Sequence, residues 1–320
     1  MLSRALVTGA NGFVGQPLCE EMLLRGWQVL AAVRSSRRLP QDMELVTVGA
    51  IDGETNWAEA LRGVGAVVHL AARVHIMRDK ATDPLTEFRA VNVAAALNLA
   101  RQAAKAGVQR FVYLSSIKVN GEQTLSGQPF TEEDVSVPLG PYSISKCEAE
   151  EGLRTLAQRT GMEVVVIRPP LIYGPGVKAN FLNMLRWLHA GVPLPLGSIN
   201  NRRSIVALDN LIDLIIRCLD HPAAADQTFL VSDGEDLSTT ALLRRMAHAL
   251  GRPARLMPLP VFLLEAGAVL LGRRDMAQRL CGSLQVDISR ARTLLGWNPP
   301  ISVDEGLRRT AQWFLHETTV

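Results

Sequence analysis

Continuous apolar runs, not alternating ones, mark the first two-thirds of the chain. Ala5–Thr8, Gln28–Val33, Glu44–Val48, Ala66–Leu70, Arg110–Leu114, Glu163–Ile167 and Thr228–Val231 are short and mostly apolar, with Gln28, Glu44, Arg110 and Glu163 at their starts. Strands of that kind are expected where helices cover both faces of a sheet. Between them lie stretches with helical spacing. Phe13–Arg25 carries Val14, Leu18 and Met22 at that period, and the Ala- and Leu-rich Glu87–Ala106 stops at Gly107. Strand and helix in alternation predict an α/β fold with a doubly wound parallel sheet.

After about Arg168 the texture changes. Pro169, Pro170, Gly174, Pro175, Gly176, Pro193, Pro195 and Gly197 break the pattern, and a helix framed by Ser238 and Gly251 follows. The expected division is a dinucleotide-binding domain over residues 1–170, to which a segment at about 201–235 returns. A smaller C-terminal substrate lobe takes residues 171–200 and 236–320. Ligands of open α/β sheets bind at the carboxyl ends of the strands, where such a lobe would sit.

The first strand runs straight into Thr8-Gly9-Ala10-Asn11-Gly12-Phe13-Val14-Gly15. Three glycines at three-residue spacing where a strand becomes a helix have separate tasks. Gly9 allows a tight turn, Gly12 lets backbone approach a pyrophosphate, and Gly15 lets helix and strand pack closely. The helix N-terminus then faces the phosphates with free N–H groups and the positive end of its dipole. Asn11, Phe13 and Val14 join the glycines as candidate cofactor contacts.

The end of the second strand selects the cofactor. An NAD site usually carries an acid there, to accept from the ribose hydroxyls. This chain reads Ala31-Ala32-Val33-Arg34-Ser35-Ser36-Arg37-Arg38. Arg34, with Ser35 and Arg37, suits a 2′-phosphate by charge and bidentate geometry. NADP(H) is therefore the favoured cofactor, with NAD(H) the alternative.

Tyr142 and Lys146 form a YxxxK pair at the start of a helical stretch, which puts both side chains on one face. A phenol is a poor base near neutrality, and an ammonium one turn away favours the phenolate. Such a tyrosine can exchange a proton with a sugar hydroxyl or carbonyl while a hydride moves. Ser115 and Ser116 end an earlier strand. Ser116 is placed to stabilise the same oxygen, and Ser115 reads as a strand-end cap. His69 reads as a satisfied strand-end histidine. The small residues Leu70, Ala71 and Ala72 after it leave room for a cofactor across the strand ends. Asn92 interrupts an apolar helix and reads as a buttress of the site.

Composition removes other possibilities. In 320 residues, Lys+Arg 34 against Asp+Glu 31 leaves only +3, too weak a field to imply nucleic acid. Cys19, Cys147, Cys218 and Cys281 contain no CxxC pair, and the six histidines have no ligand spacing, so no metal is expected. The N-terminus lacks a signal-peptide pattern. The oiliest stretch, Leu256–Gly272, contains Pro258, Pro260 and Glu265 and is too short to cross a bilayer. A cytoplasmic protein is expected, with Val261–Leu271 buried or dimer-facing and a membrane contact as the alternative.

These residues together resemble the extended short-chain dehydrogenase/reductases of the nucleotide-sugar epimerase/dehydratase branch. The resemblance rests on the glycine turn, His69–Ala72, Asn92, Ser115-Ser116, Tyr142-x-x-x-Lys146, Arg168-Pro169, Tyr173-Gly174-Pro175 and Leu295-Gly296-Trp297, and it spans nearly the whole chain. It implies a Rossmann domain of about seven strands, a lobe for a UDP- or dTDP-sugar, and a homodimer. By position it makes Tyr142 the acid or base, Lys146 its partner and Ser116 the polar support. It adds Asn92, Ser115, Tyr142, Lys146 and Pro169 to the cofactor contacts. Asn180, Arg203 and Arg279 stand where the nucleotide sugar is held, Arg203 through the diphosphate.

Two departures narrow the reading. Dehydratases of the branch carry an Asp-Glu pair where this chain has Ile117 and Lys118. NAD-holding 4-epimerases usually carry an acid where it has Val33. Ser115–Glu122 and Arg168–Phe181 resemble bacterial O-antigen enzymes, some of which reduce a UDP-4-keto-6-deoxy-N-acetylhexosamine. NADPH-dependent reduction at C4 is the reading this favours, and C4 epimerisation of a UDP-hexose or UDP-N-acetylhexosamine is its alternative. A dinucleotide-sensing module without chemistry would have no reason to keep Ser116, Tyr142 and Lys146 together.

Overall fold

The computed structural model describes residues 4–34, 43–74, 83–125, 127–270, 272 and 274–319. The chain opens with β1 (Arg4–Thr8), α1 (Gly15–Leu24), β2 (Gln28–Val33), β3 (Glu44–Thr47) and β4 (Ala66–His69). Next come α2 (Pro84–Arg89), α3 (Ala95–Lys105), β5 (Arg110–Leu114), α4 (Gly140–Thr160), β6 (Glu163–Arg168) and β7 (Leu171–Tyr173). The remainder is α5 (Ala179–His189), β8 (Arg203–Ala207), α6 (Leu208–Asp220), β9 (Thr228–Leu230), β10 (Asp236–Leu237), α7 (Thr239–Ala249) and α8 (Val261–Leu270). It ends with α9 (Arg274–Cys281), α10 (Ser289–Leu295) and α11 (Val303–Thr319).

Seven parallel strands form one sheet in the order β3-β2-β1-β4-β5-β6-β9. Side chains along β1 alternate between its two faces. Ala5 and Val7 join the core under α1 and α6, while Leu6 joins the core under α3 and α4. Both faces are thus covered, which is why these strands carry no polar period in the sequence. The order reverses between β1 and β4, and Thr8 pairs with His69 at that point. This is the switch point at which Rossmann sheets hold their ligands.

A second, three-stranded sheet, β10-β8-β7, anchors the smaller lobe with α5, α7 and α11. Chain continuity does not follow this division. After β8 the chain returns through α6 and β9 to the large sheet and then leaves again at β10.

The helix anticipated over Glu87–Ala106 is two helices. Asp83 caps α2, its Oδ1 accepting from Thr86 N at 3.3 Å, and Pro84 occupies the first turn. A π-helical turn, Ala90–Ala94, joins α2 to α3 and carries Asn92 inward. Such turns rotate a side chain out of the regular α register. Among the described residues no helix is long and apolar enough to cross a membrane.

Candidate active site

The turn after β1 is built from backbone that tolerates no side chain. Gly9 adopts φ +68°, a left-handed conformation. A Cβ on it would lie 2.9 Å from the Ala71 amide nitrogen. Gly12 N donates to Gly9 O at 2.9 Å and closes the turn. A Cβ on Gly15 would stand 2.1 Å from Gly9 O, so α1 can approach β1 only with glycine there. Val14, the N-cap of α1, gives no side-chain oxygen to the first turn. In that turn Gln16 N donates to Gly12 O at 3.1 Å and Pro17 has no N–H, which leaves the Gly15 N–H to face an anionic ligand. This cradle fits a dinucleotide pyrophosphate. Asn11 is exposed, and half-buried Phe13 packs against the cores of both lobes.

At the end of β2 Val33 is buried and Arg34 is exposed, with no carboxylate at either position. Ser35 and Arg37 lie outside the described residues. Across the switch point Thr8 Oγ1 and His69 Nδ1 share a hydrogen bond of 2.8 Å, and Thr8 Oγ1 also accepts from Ala71 N at 3.2 Å. Those bonds fix the Leu70–Ala72 segment beside Gly9. His69 is stacked on Tyr113, with ring centroids 5.9 Å apart. Burial, with the positive charge of Lys146 nearby, lowers its pKa to about 3. It is therefore a neutral support for the turn. Asn92 has its amide fully engaged. Its Oδ1 accepts from Arg73 N at 2.8 Å, and its Nδ2 donates to Arg73 O and to Ser145 Oγ. It ties the segment after β4 to α4.

Tyr142 and Lys146 both lie on the first half of α4. Tyr142 is in hydrogen-bond contact with Ser116 and edge-on to Phe88 at 6.1 Å. Lys146 Nζ donates to Leu114 O at 2.8 Å and sits 4.5 Å from the centre of the Tyr113 ring. Burial pushes the Tyr142 phenol up to about 12, against the pull of the Ser116 hydroxyl. Burial also lowers Lys146 to about 7, partly offset by the Glu150 carboxylate. This corrects the expectation that Lys146 would favour the phenolate. In the structure its charge is drawn to a strand-end carbonyl, and desolvation dominates both groups. Tyr142 holds its proton at neutral pH.

Ser116 keeps the contact with Tyr142 anticipated for it and also takes the capping duty anticipated for Ser115. Ser116 Oγ caps the 3₁₀ turn Ile117–Val119, accepting from Lys118 N at 3.3 Å, while keeping its contact with Tyr142. Ser115 donates at 2.5 Å to the buried carboxylate of Glu150, so it is not a backbone cap. Pro169 O accepts from Ile117 N at 3.0 Å and holds this turn against the end of β6.

Beneath the pair lies a network that motif reading passed over. Glu150 follows Lys146 by one helical turn. Arg168 donates to it through Nε and Nη2, and Arg154 adds a third guanidinium contact at 2.9 Å. Arg168 Nη1 reaches Asn120 Oδ1 at 2.8 Å. The signal was present, since Tyr142, Lys146 and Glu150 are spaced by four and share one helix face.

On the smaller lobe, Arg203 Nη1 donates to the carbonyls of Arg279 and Gly282 at 2.9 and 3.1 Å. Arg203 is thus brought to the segment that carries Arg279, whose side chain is exposed. Asn180 is exposed on the first turn of α5, a separate element. Among the described residues no cluster of potential metal ligands occurs.

The glycine cradle and the Ser116–Tyr142–Lys146 group meet at the carboxyl ends of one parallel sheet. Comparison with known proteins places this arrangement. Residues 5–232 match the NAD dependent epimerase/dehydratase family. The chain belongs to that family. It is 48% identical over 312 residues to a UDP-glucose 4-epimerase of Vibrio cholerae, covering 97% of this chain and 95% of the relative. Among solved structures it resembles MoeE5 in complex with UDP-glucose and NAD, at 25% identity and TM-score 0.77, over 98% of this chain and 99% of that one. The fold also matches a UDP-glucuronic acid 4-epimerase from Bacillus cereus in complex with NAD, at TM-score 0.79 and 19% identity, over 98% and 99% of the two chains. Membership makes this chain an enzyme of nucleotide sugars in a family described as NAD dependent. Its second strand ends in Val33-Arg34, without the acid that the NAD pattern calls for.

Proposed function

We propose that the enzyme works at C4 of a UDP-sugar. Its reaction in this reading is NADPH-dependent reduction of a UDP-4-keto-6-deoxy-N-acetylhexosamine during surface-polysaccharide synthesis. The observation that carries it is the end of β2, where exposed Arg34 replaces a ribose-binding acid. A guanidinium there attracts a 2′-phosphate and offers nothing to a ribose 2′-hydroxyl that needs an acceptor. Tyr142, in contact with Ser116, can supply the proton that reduction needs.

In this reading Gly9, Gly12 and Gly15 hold the pyrophosphate, and Leu70–Ala72, Ser115 and Pro169 border the rest of the dinucleotide. The nicotinamide, when bound, supplies the hydride for the C4 carbon. Tyr142 gives its phenolic proton to the C4 oxygen, so the ketone becomes an alcohol and a phenolate is left. Ser116 donates to the same oxygen as charge builds on it. Lys146, anchored to Leu114 O, holds positive charge one helical turn from the new phenolate. Arg203, Arg279 and Asn180 take the nucleotide-diphosphate end. After Ser116 stand buried Ile117 and half-buried Lys118, the latter paired with Glu122 at 3.0 Å, so neither of these two positions offers a carboxylate for eliminating water.

The second reading is a 4-epimerase, favoured by the name of the Vibrio cholerae relative. One experiment separates the two. The purified protein is given a UDP-4-keto-6-deoxy-N-acetylhexosamine with NADPH, and separately UDP-GlcNAc or UDP-glucose without added cofactor. Stoichiometric loss of NADPH, with little interconversion of the second pair, is expected. Tightly bound NAD in the purified protein, with rapid interconversion of UDP-GlcNAc and UDP-GalNAc, would replace the reductase by the epimerase.

A further inference from the structure

Helix α8, Val261–Leu270, is apolar on every side except at Glu265, yet none of its residues is buried. A helix of that composition belongs in a core or against something other than water. Val261 and Leu264 rest on the core of the smaller lobe, and α9 runs alongside. At 3.6 residues per turn, Phe262, Ala266, Val269 and Leu270 fall on the opposite side, with Glu265 at its margin. Phe262 is 67% exposed and Leu270 87%. Met257, in the segment leading into the helix, is also exposed.

Charge decides among the things that could cover this face. From residue 251 to 275 the sequence holds Arg252, Arg255, Arg273 and Arg274 against Glu265 and Asp275. Arg252 and Arg255 are exposed immediately ahead of α8. A two-fold contact between copies would bring the exposed Arg252 and Arg255 of each copy into one interface. An apolar helix face preceded by two exposed cations instead matches a layer that is anionic outside and hydrocarbon beneath. We propose that α8 docks on the surface of an anionic phospholipid bilayer, lying on it without crossing it. The proposal stands apart from the identity of the sugar. It has a consequence for the site, because α8 leads through α9 to the Arg279–Gly282 carbonyls that hold Arg203. Docking would put the opening of the smaller lobe beside the bilayer surface.

Flotation of the full chain with phosphatidylcholine vesicles, with and without phosphatidylglycerol, tests this. We expect binding to anionic vesicles at least about tenfold tighter than to neutral ones, and weakened by salt. F262E/L270E should lose it by at least about tenfold. R252E/R255E should lose most of the preference for phosphatidylglycerol. Both variants should keep wild-type turnover in buffer, which shows that they are folded. Absence of binding to either vesicle, equal binding to both, or a dimer that F262E/L270E converts to monomer by light scattering would overturn the proposal.

Discussion

Glu150 and Arg168 face each other in a closed pair, Nε to Oε1 at 3.0 Å and Nη2 to Oε2 at 2.6 Å, with both side chains almost wholly out of solvent. The pair joins α4 to the end of β6, one turn below Lys146. Removing one member leaves the other charge buried without its partner. Glu150→Ala is expected to cost about 3–5 kcal/mol in urea unfolding. Glu150→Leu combined with Arg168→Met should cost less than the single change, and a double-mutant cycle would show the coupling.

Tyr142→Phe keeps the ring against Phe88 and removes the proton. Turnover of the sugar nucleotide should fall by about 10²–10⁴ in kcat with cofactor affinity nearly intact. Lys146→Met should lower both. Near-normal turnover by Tyr142→Phe would move the acid–base role to another group.

Arg34 is the described residue that sets the charge at the end of β2. Calorimetry on the unaltered protein should give tighter binding of NADP(H) than of NAD(H). Arg34→Asp should reverse the order, since a carboxylate accepts from ribose hydroxyls and repels a 2′-phosphate. Equal or tighter binding of NAD(H) by the unaltered protein would reject the assignment.

His69 and Lys146 make stability depend on pH in different windows. His69 has its folded pKa lowered to about 3, so only the unfolded chain takes up its proton as pH falls below 6.5. The stability it gives is complete above 6.5 and is lost toward 3, with a slope near 1.4 kcal/mol per pH unit. Lys146, lowered to about 7, adds stability as pH rises from 7 to 10.5. Chemical unfolding across pH should show a shallower acid limb in His69→Gln than in wild type. An unchanged limb would mean that His69 is protonated in the native state.

The large sheet was readable because its strands are apolar on both faces, and β1, β2 and β6 begin and end close to where their runs do. The smaller sheet was not. β7 and β10 have three and two residues, and β8 begins with Arg203 and Ser204, so none makes a distinguishable run. Asn92 was legible as an interruption, but the π-helical turn that aims it at Arg73 leaves no mark in the sequence. Ser116 was legible as the neighbour of Tyr142, but the bond from Ser115 to Glu150 was not. Which hydroxyl meets Tyr142 and which meets Glu150 depends on the extended backbone of Ser116, at φ −157° and ψ 146°. The rise in the Tyr142 pKa was hidden for a similar reason, because spacing gives proximity to Lys146 and says nothing of burial.

The return of the chain through α6 and β9 makes the two lobes inseparable at any single cut. A fragment ending near residue 170 would lack Thr228–Leu230, which pair with Val166, Ile167 and Arg168. It would bare the rim of β6 along an almost wholly apolar stretch, an open template for sticking to its own kind. Exchange of the sugar-holding half for that of a relative therefore needs several coordinated junctions. A ribosome that has released only the first half has released something that must wait for the rest.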